Sequence, residues 1–121
     1  MKVLQIDDSE EICDVYSDMF EADNHTFQAV YDPKEGLELI KKNDYDLILL
    51  DMCMPKYDGM DFLRDLKTQR PSELKKVVIT SVLQFSDSQV EKLMSFGIHS
   101  VEEKPTDFQQ LELLQRNIWM R

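Results

Sequence analysis

Residues 45–59 read YDLILLDMCMPKYDG. Leu47 to Leu50 form a continuous apolar run between polar residues, which is typical of a central parallel strand covered on both faces. The run ends on the carboxylate of Asp51 and then breaks into a loop that contains proline and glycine. In open α/β sheets, ligands bind at the carboxyl ends of the strands. We therefore expect Asp51 to lie at the ligand-binding edge of a parallel sheet.

Strand and helix patterns alternate along the rest of the chain. The other short apolar runs predict strands at Lys2 to Ile6, Thr26 to Tyr31, Val77 to Ser81 and Ile98 to Val101. Stripes at helical spacing lie between them, the first being Ile12, Val15, Tyr16, Met19 and Phe20. A fifth helix is predicted after the capping sequence Thr106-Asp107-Phe108-Gln109. This alternation predicts an α/β fold, a (βα)5 doubly wound five-stranded parallel sheet with helices on both faces.

The composition restricts the class of protein. A chain of 121 residues is the size of a single domain with its own core. The net charge of −10 argues against a nucleic-acid partner. No apolar run is long enough to span a bilayer, and the N-terminus does not resemble a signal peptide, so we expect no membrane role and a cytoplasmic location. Cys13 and Cys53 lack metal-type or redox-type spacing and are expected to be reduced thiols.

Charged and hydroxyl side chains follow four of the predicted strands. They are Asp7 and Asp8 after the first, Asp51 after the third, Thr80 or Ser81 after the fourth and Lys104 after the fifth. Each pair of carboxylates 4 Å apart costs on the order of 4 kcal/mol at an effective dielectric near 20, so a proton or a cation must compensate. Mg²⁺ suits carboxylates, water and phosphate as ligands. Together with an ammonium and a hydroxyl, Mg²⁺ would hold a phosphoryl group. The carboxylate of Asp51 could act as the nucleophile that accepts this group.

This set of residues resembles the receiver domain of two-component response regulators, over essentially the whole chain. The matching positions are Asp7-Asp8, Asp51, Met54-Pro55, Asp58-Gly59, the hydroxyl at the end of the fourth strand, and Lys104-Pro105. The resemblance implies a flavodoxin-like sheet with strand order 2-1-3-4-5. It also implies that Asp51 accepts a phosphoryl group from the phosphohistidine of a sensor histidine kinase or a phosphotransfer protein.

The resemblance further implies a role for each residue of the metal site. Asp8 and Asp51 would bind Mg²⁺ together with the backbone carbonyl of Cys53, and Asp7 would act on the metal mainly through water. Lys104 would contact the phosphoryl group, and its peptide bond to the following proline would be cis.

Two positions match the family pattern less clearly: the hydroxyl at the end of the fourth strand, and the aromatic residue that relatives often carry before the lysine. Thr80 and Ser81 point to opposite faces of a strand, so only one of them can face the site. The spacing from Asp51 favours Ser81, whereas the family's preference for threonine favours Thr80; we predict Ser81. Relatives often carry Tyr or Phe three residues before the lysine, but this chain has Val101, and Phe85 is a candidate replacement.

The leading hypothesis is a stand-alone phosphoacceptor switch in which residues 1–121 form a single receiver domain. It would not be an enzyme beyond its own phosphorylation and dephosphorylation, and phosphorylation would alter binding of an unidentified downstream protein. The alternatives are a phosphorylation-independent docking module and a receiver excised from a longer regulator. An aspartyl phosphatase would need a second Asp at position 53, and an FMN-binding protein would need a hydroxyl-rich or glycine-rich loop after the first strand.

Overall fold

Short apolar strands alternate with amphipathic helices throughout the parts of the chain that the computed structural model describes, residues 1–52, 59–82 and 84–104. The strands are β1 Lys2–Ile6, β2 Thr26–Val30, β3 Leu47–Asp51, β4 Val77–Ser81 and β5 Ser100–Glu103. The helices are α1 Glu10–Ala22, α2 Pro33–Lys42, α3 Gly59–Gln69 and α4 Asp87–Met94, with a 3₁₀ helix at Pro71–Lys76. The fifth predicted helix lies outside the described residues.

The five strands form one parallel sheet in the order β2-β1-β3-β4-β5. The predicted fold class and strand order are therefore confirmed. Because every strand runs in the same direction, the loops that follow β1, β3, β4 and β5 open at one edge of the sheet. The strand β3, whose five residues are all buried, occupies the centre of that edge.

Alternate residues of each strand enter two cores. Ile48 and Leu50 of β3 belong to the larger core, which also contains the buried residues of α2, α3 and α4. Leu47 and Leu49 belong to the smaller core, on the face that α1 covers. The period of two along a strand therefore assigns each residue at the end of β3, β4 or β5 to one face.

Polar caps fix where the helices begin. The hydroxyl of Ser9 accepts a hydrogen bond from the amide of Ile12 at the start of α1. Asp32 caps α2, whose first residue is a proline. Ser86 and Gln89 form a reciprocal capping box at the start of α4. Ser9 and Asp32 lie three and two residues after the ends of β1 and β2, so the loops there are short.

Two local expectations were wrong. The last strand is Ser100–Glu103, two residues later than predicted, because Ile98 is buried before the strand begins. Since β5 pairs with β4 alone, this edge position tolerates its two glutamates. In α1, Val15 is 41% exposed, whereas Cys13 is buried. The other four residues of the predicted stripe are buried or half-buried, and Cys13 packs beneath the end of β1.

The side chain of Arg70 joins the 3₁₀ helix to α2. Arg70 donates hydrogen bonds to the carbonyl oxygens of Ile40 and Lys41 at the end of α2, at 3.0 and 3.2 Å. It also contacts the buried carboxylate of Glu73 at 2.8 Å, and Lys76 contacts the same carboxylate at 2.6 Å. This arrangement satisfies carbonyls that a helix end leaves without partners.

Candidate functional site

Three carboxylates meet at the carboxyl edge of the sheet. Asp7 and Asp8 follow β1, and Asp51 is the last residue of the neighbouring β3. One carboxylate oxygen from each lies within 4.8 Å of the others. Asp7 and Asp51 are buried, whereas Asp8 is exposed. The sequence prediction that these three residues lie together agrees with the structure.

Lys104 joins the two buried carboxylates. Its Nζ lies 2.7 Å from Oδ2 of Asp7 and 3.2 Å from Oδ1 of Asp51, and only 7% of its side chain is exposed. Burial on its own would lower the pKa of Lys104. The hydrogen bonds and negative charges of Asp7 and Asp51 outweigh burial, so the pKa is raised above its ordinary value. Lys104 is therefore held in its charged form inside the site.

Backbone hydrogen bonds hold the two strand ends on either side of the site. The amide of Lys104 donates to the carbonyl of Ser81 at 2.7 Å, which extends the pairing of β4 with β5 by one residue. Asp7 is fixed similarly, because its amide donates to the carbonyl of Val30 at 3.1 Å. Oδ1 of Asp7 accepts a hydrogen bond from the amide of Ser9 at 2.9 Å, which leaves Oδ2 directed at Lys104.

Both candidate hydroxyls are buried at the end of β4. Thr80 pairs in register with Asp51, and paired residues of parallel strands project to the same face. Ser81 pairs with Glu103 and projects to the other face, the one that carries α3 and α4. The assignment of Ser81 as the residue that contacts the phosphoryl group stays a prediction.

The loop after β3 returns close to its starting point. The amide of Met52 donates to the carbonyl of Thr80 at 3.4 Å, and the amide of Gly59 donates to the carbonyl of Met52 at 3.2 Å. A Cβ on Gly59 would lie 2.6 Å from the sulfur and 3.2 Å from the Cα of Met52, so a larger residue here would have to displace Met52. Cys53, whose carbonyl was predicted to bind the metal, lies outside the described residues, as does Pro105.

The sequence did not indicate which side chains lie beneath the site. Cys13 is buried, with its thiol 3.8 Å from the carbonyl of Asp7. Burial, followed by the negative charge of Asp7, raises the pKa of Cys13 to about 12. The same two causes raise the pKa of the Tyr16 hydroxyl. Both groups are therefore neutral at pH 7 and add no charge next to the carboxylates.

The donor set fits a hard divalent cation and a phosphoryl group. Carboxylate oxygens are the ligands that Mg²⁺ prefers, and an exposed Asp8 leaves one side of the cluster open to water, which Mg²⁺ usually retains. A buried ammonium beside Asp51 can receive the negative oxygens of a group attached to that carboxylate.

Among the described residues, no helix combines the length and the apolar character that crossing a bilayer requires.

Comparisons with known proteins identify the family. The sequence model of the response regulator receiver domain matches residues 3–115. The regulatory protein VanR of Enterococcus faecium is 28% identical over 115 residues, which are 95% of this chain and 47% of VanR. The receiver domain of the Francisella response regulator 1452 is 29% identical, with a TM-score of 0.79 and coverage of 99% of this chain and 97% of that one. The N-terminal domain of a response regulator receiver protein from Methanoculleus marisnigri is 26% identical, with a TM-score of 0.78 and coverage of 99% and 97%. This chain therefore belongs to the response regulator receiver domain family of two-component systems.

Proposed function

We propose that this protein is the phosphoacceptor switch of a two-component phosphorelay and that Asp51 is its phosphorylation site. The observation that carries the proposal is the contact of one buried lysine with two buried carboxylates, Asp7 and Asp51, beside a third carboxylate on the exposed side. A purely structural role would not explain two buried acidic side chains at adjacent strand ends, because burying them costs free energy.

The reaction transfers a phosphoryl group without a change in oxidation state. A carboxylate oxygen of Asp51 attacks the phosphorus of a phosphohistidine, an O–P bond forms, and the N–P bond breaks to return its electron pair to the imidazole. Lys104 lies where it can neutralise an oxygen of the transferred group. Asp8, Asp51 and the carbonyl of Cys53 would hold Mg²⁺, with Asp7 acting through water. When bound, the ion supplies positive charge for the phosphoryl oxygens.

The partners follow from this chemistry. The phosphoryl donor is a sensor histidine kinase or a phosphotransfer protein, and the receiver of the signal is a downstream protein whose affinity changes on a face that includes α4 and β5. We propose a cytoplasmic location and no nucleic-acid or membrane contact for these residues. The chain spans about half the length of VanR. We propose that residues 1–121 act as one receiver domain with no enzymatic turnover beyond the gain and loss of its own phosphoryl group.

Intact-protein mass spectrometry tests the assignment. Incubation with Mg²⁺ and acetyl phosphate is expected to add one phosphoryl group to the wild type and none when EDTA replaces Mg²⁺. Asp51→Asn should abolish the gain, whereas Asp18→Asn, a matched change on the exposed surface of α1, should keep it. A gain that survives Asp51→Asn, or no gain in the wild type, would overturn the proposal.

A second candidate is a docking module that works without phosphorylation. The observation that favours it is Val101, which is half-buried on β5 where many relatives carry an aromatic side chain. This alternative predicts that the wild type and Asp51→Asn bind a partner with equal affinity, whether or not acetyl phosphate is present. Any phosphorylation-dependent change in affinity would exclude it.

A further inference from the structure

Three polar side chains are buried without a hydrogen-bond partner on the face of the sheet that α1 covers. They are Gln5 of β1, Tyr16 of α1 and Thr80 of β4, and each is at most 2% exposed. Among the described residues, none forms a hydrogen bond with the amide oxygen or nitrogen of Gln5 or with either hydroxyl. Buried polar groups in folded proteins nearly always have a partner, which is either another protein group or an ordered water molecule. These four atoms therefore require a partner.

The sheet register places Gln5 and Thr80 on the same face. Gln5 pairs with Leu49, which packs in the smaller core beneath α1. Thr80 pairs with Asp51, which lies two residues after Leu49 and so projects to that face as well. Asp7 follows Gln5 by two residues and is level with Asp51 on the neighbouring strand. Gln5 therefore lies one row beneath the two buried carboxylates, and Thr80 lies beside them.

Tyr16 faces the same interior region from the side of α1. It packs in the smaller core, and Cys13, one helical turn before it, contacts the carbonyl of Asp7. Burial raises the pKa of the Tyr16 hydroxyl, and the negative charges of Asp7 and Asp51 raise it further, so this hydroxyl lies close to both carboxylates. The atoms without partners on β1, β4 and α1 therefore border one interior region beneath the carboxylates.

Water is the ligand that fits these groups. The amide of Gln5 both donates and accepts hydrogen bonds, and each hydroxyl can do either, so the set matches a small neutral molecule that does the same. The burial of all three side chains favours the smallest such molecule. Internal water typically makes about three hydrogen bonds to buried polar groups that have no other partner. Without it, each of these groups would destabilise the fold, because its hydrogen bonds to solvent would be lost and not replaced.

We propose that Gln5, Tyr16 and Thr80 form a binding site for internal water beneath the two buried carboxylates. Water in this site joins α1 to β1 and β4 by hydrogen bonds, at the level where the strands hold Asp7 and Asp51. The site belongs to the folded chain itself and does not depend on phosphorylation. It is therefore separate from the proposed function, and either can fail without the other.

Crystallography of the whole chain, at a resolution that shows ordered water, tests the site directly. We expect electron density for a water molecule within about 3.2 Å of a side-chain nitrogen or oxygen of Gln5 and of at least one of the two hydroxyls. If these atoms bond to other side chains instead, or if no water bonds Gln5 together with a hydroxyl, the inference is overturned.

A matched pair of tyrosine variants tests the site in solution. Tyr16 and Tyr45 are both 2% exposed, and the hydroxyl of Tyr45 donates to Gln28 at 2.6 Å. Tyr45→Phe should lower the urea midpoint because it removes this hydrogen bond. Tyr16→Phe should lower the midpoint by a similar shift, since it removes a hydroxyl that water bonds. Removal of a buried hydroxyl without a partner would leave the midpoint unchanged or raise it, and that result for Tyr16→Phe would contradict the inference.

Discussion

Lys104 is expected to contribute more to stability than any other lysine in the described part of the chain, and Lys104→Met tests this. Methionine keeps the length of the side chain but removes its charge. Asp7 and Asp51 would then remain buried, close together and without their shared cation. Breaking a buried ion pair by removing one partner costs about 3–5 kcal/mol, and we expect a loss in that range at pH 7 without divalent cations.

The distances from Lys104 Nζ to Asp7 and to Asp51 set the size of the expected loss in stability. Charges 2.7 and 3.2 Å apart attract each other by about 6 and about 5 kcal/mol at an effective dielectric of 20. Burying three ions offsets most of this attraction, because desolvation costs several kcal/mol for each ion. Repulsion between the two carboxylates, which Lys104 now compensates, would return in the variant. The expected net loss therefore stays well above the effect of an exposed substitution.

Urea unfolding followed by far-UV circular dichroism, at pH 7 with EDTA, measures the free energy of unfolding. Lys75→Met is the matched control, because Lys75 is exposed in the 3₁₀ helix. The control should change the free energy by less than about 0.5 kcal/mol. If Lys104→Met lost less than about 1 kcal/mol, the ion pair would not hold the site together and the reasoning would be refuted.

The pH dependence has a definite sign. The pKa of Lys104 is raised in the folded protein, so its contribution is complete below the unfolded pKa of about 10.4 and is lost as the pH rises through the folded pKa. The difference in stability between the wild type and Lys104→Met should therefore be constant from pH 7 to about pH 9.5. It should shrink above about pH 10.4. A difference that grew at alkaline pH would contradict the assignment.

Two further predictions concern single side chains. Arg70→Met should lower the free energy of unfolding by about 2 kcal/mol, measured by the same urea titration, because it leaves helix-end carbonyls and the buried Glu73 short of a donor. A loss below about 0.5 kcal/mol would contradict it. The spacing from Asp51 assigns the phosphoryl-binding hydroxyl to Ser81, although Thr80 is the residue in register with Asp51. Ser81→Ala should therefore lower the yield of phosphorylated Asp51 in the mass assay several-fold, whereas Thr80→Val should leave it nearly unchanged. The reverse order would assign the hydroxyl to Thr80.

The sequence predicted the sheet well because its central strand carries an unambiguous signal. Leu47 to Leu50 are apolar on both faces, and only a strand with helices on each side can bury all four. The last strand was predicted poorly for the opposite reason. Ser100–Glu103 contains two glutamates and one apolar residue, and its place at the sheet edge, rather than its hydropathy, makes it a strand.

The site shows the same division between what the sequence determines and what packing determines. Strand ends on one edge bring Asp7, Asp51 and Lys104 together, so their proximity could be predicted from chain order alone. The burial of Cys13 in place of Val15 depends on how α1 packs, because Cys13 fits the helical spacing with Tyr16 and Phe20 as well as Val15 fits it with Ile12 and Met19.

The order of charges from the interior outward suits the proposed binding of both a cation and a phosphoryl group. Lys104 is buried, Asp7 and Asp51 contact it, and Asp8 lies on the exposed side. Three carboxylates and one ammonium leave two unbalanced negative charges, which match a divalent ion. Such an ion keeps part of its water, so it is favoured on the exposed side next to Asp8. In the proposed function, transfer to Asp51 would add one negative charge, which Lys104 and a bound divalent ion would stabilise.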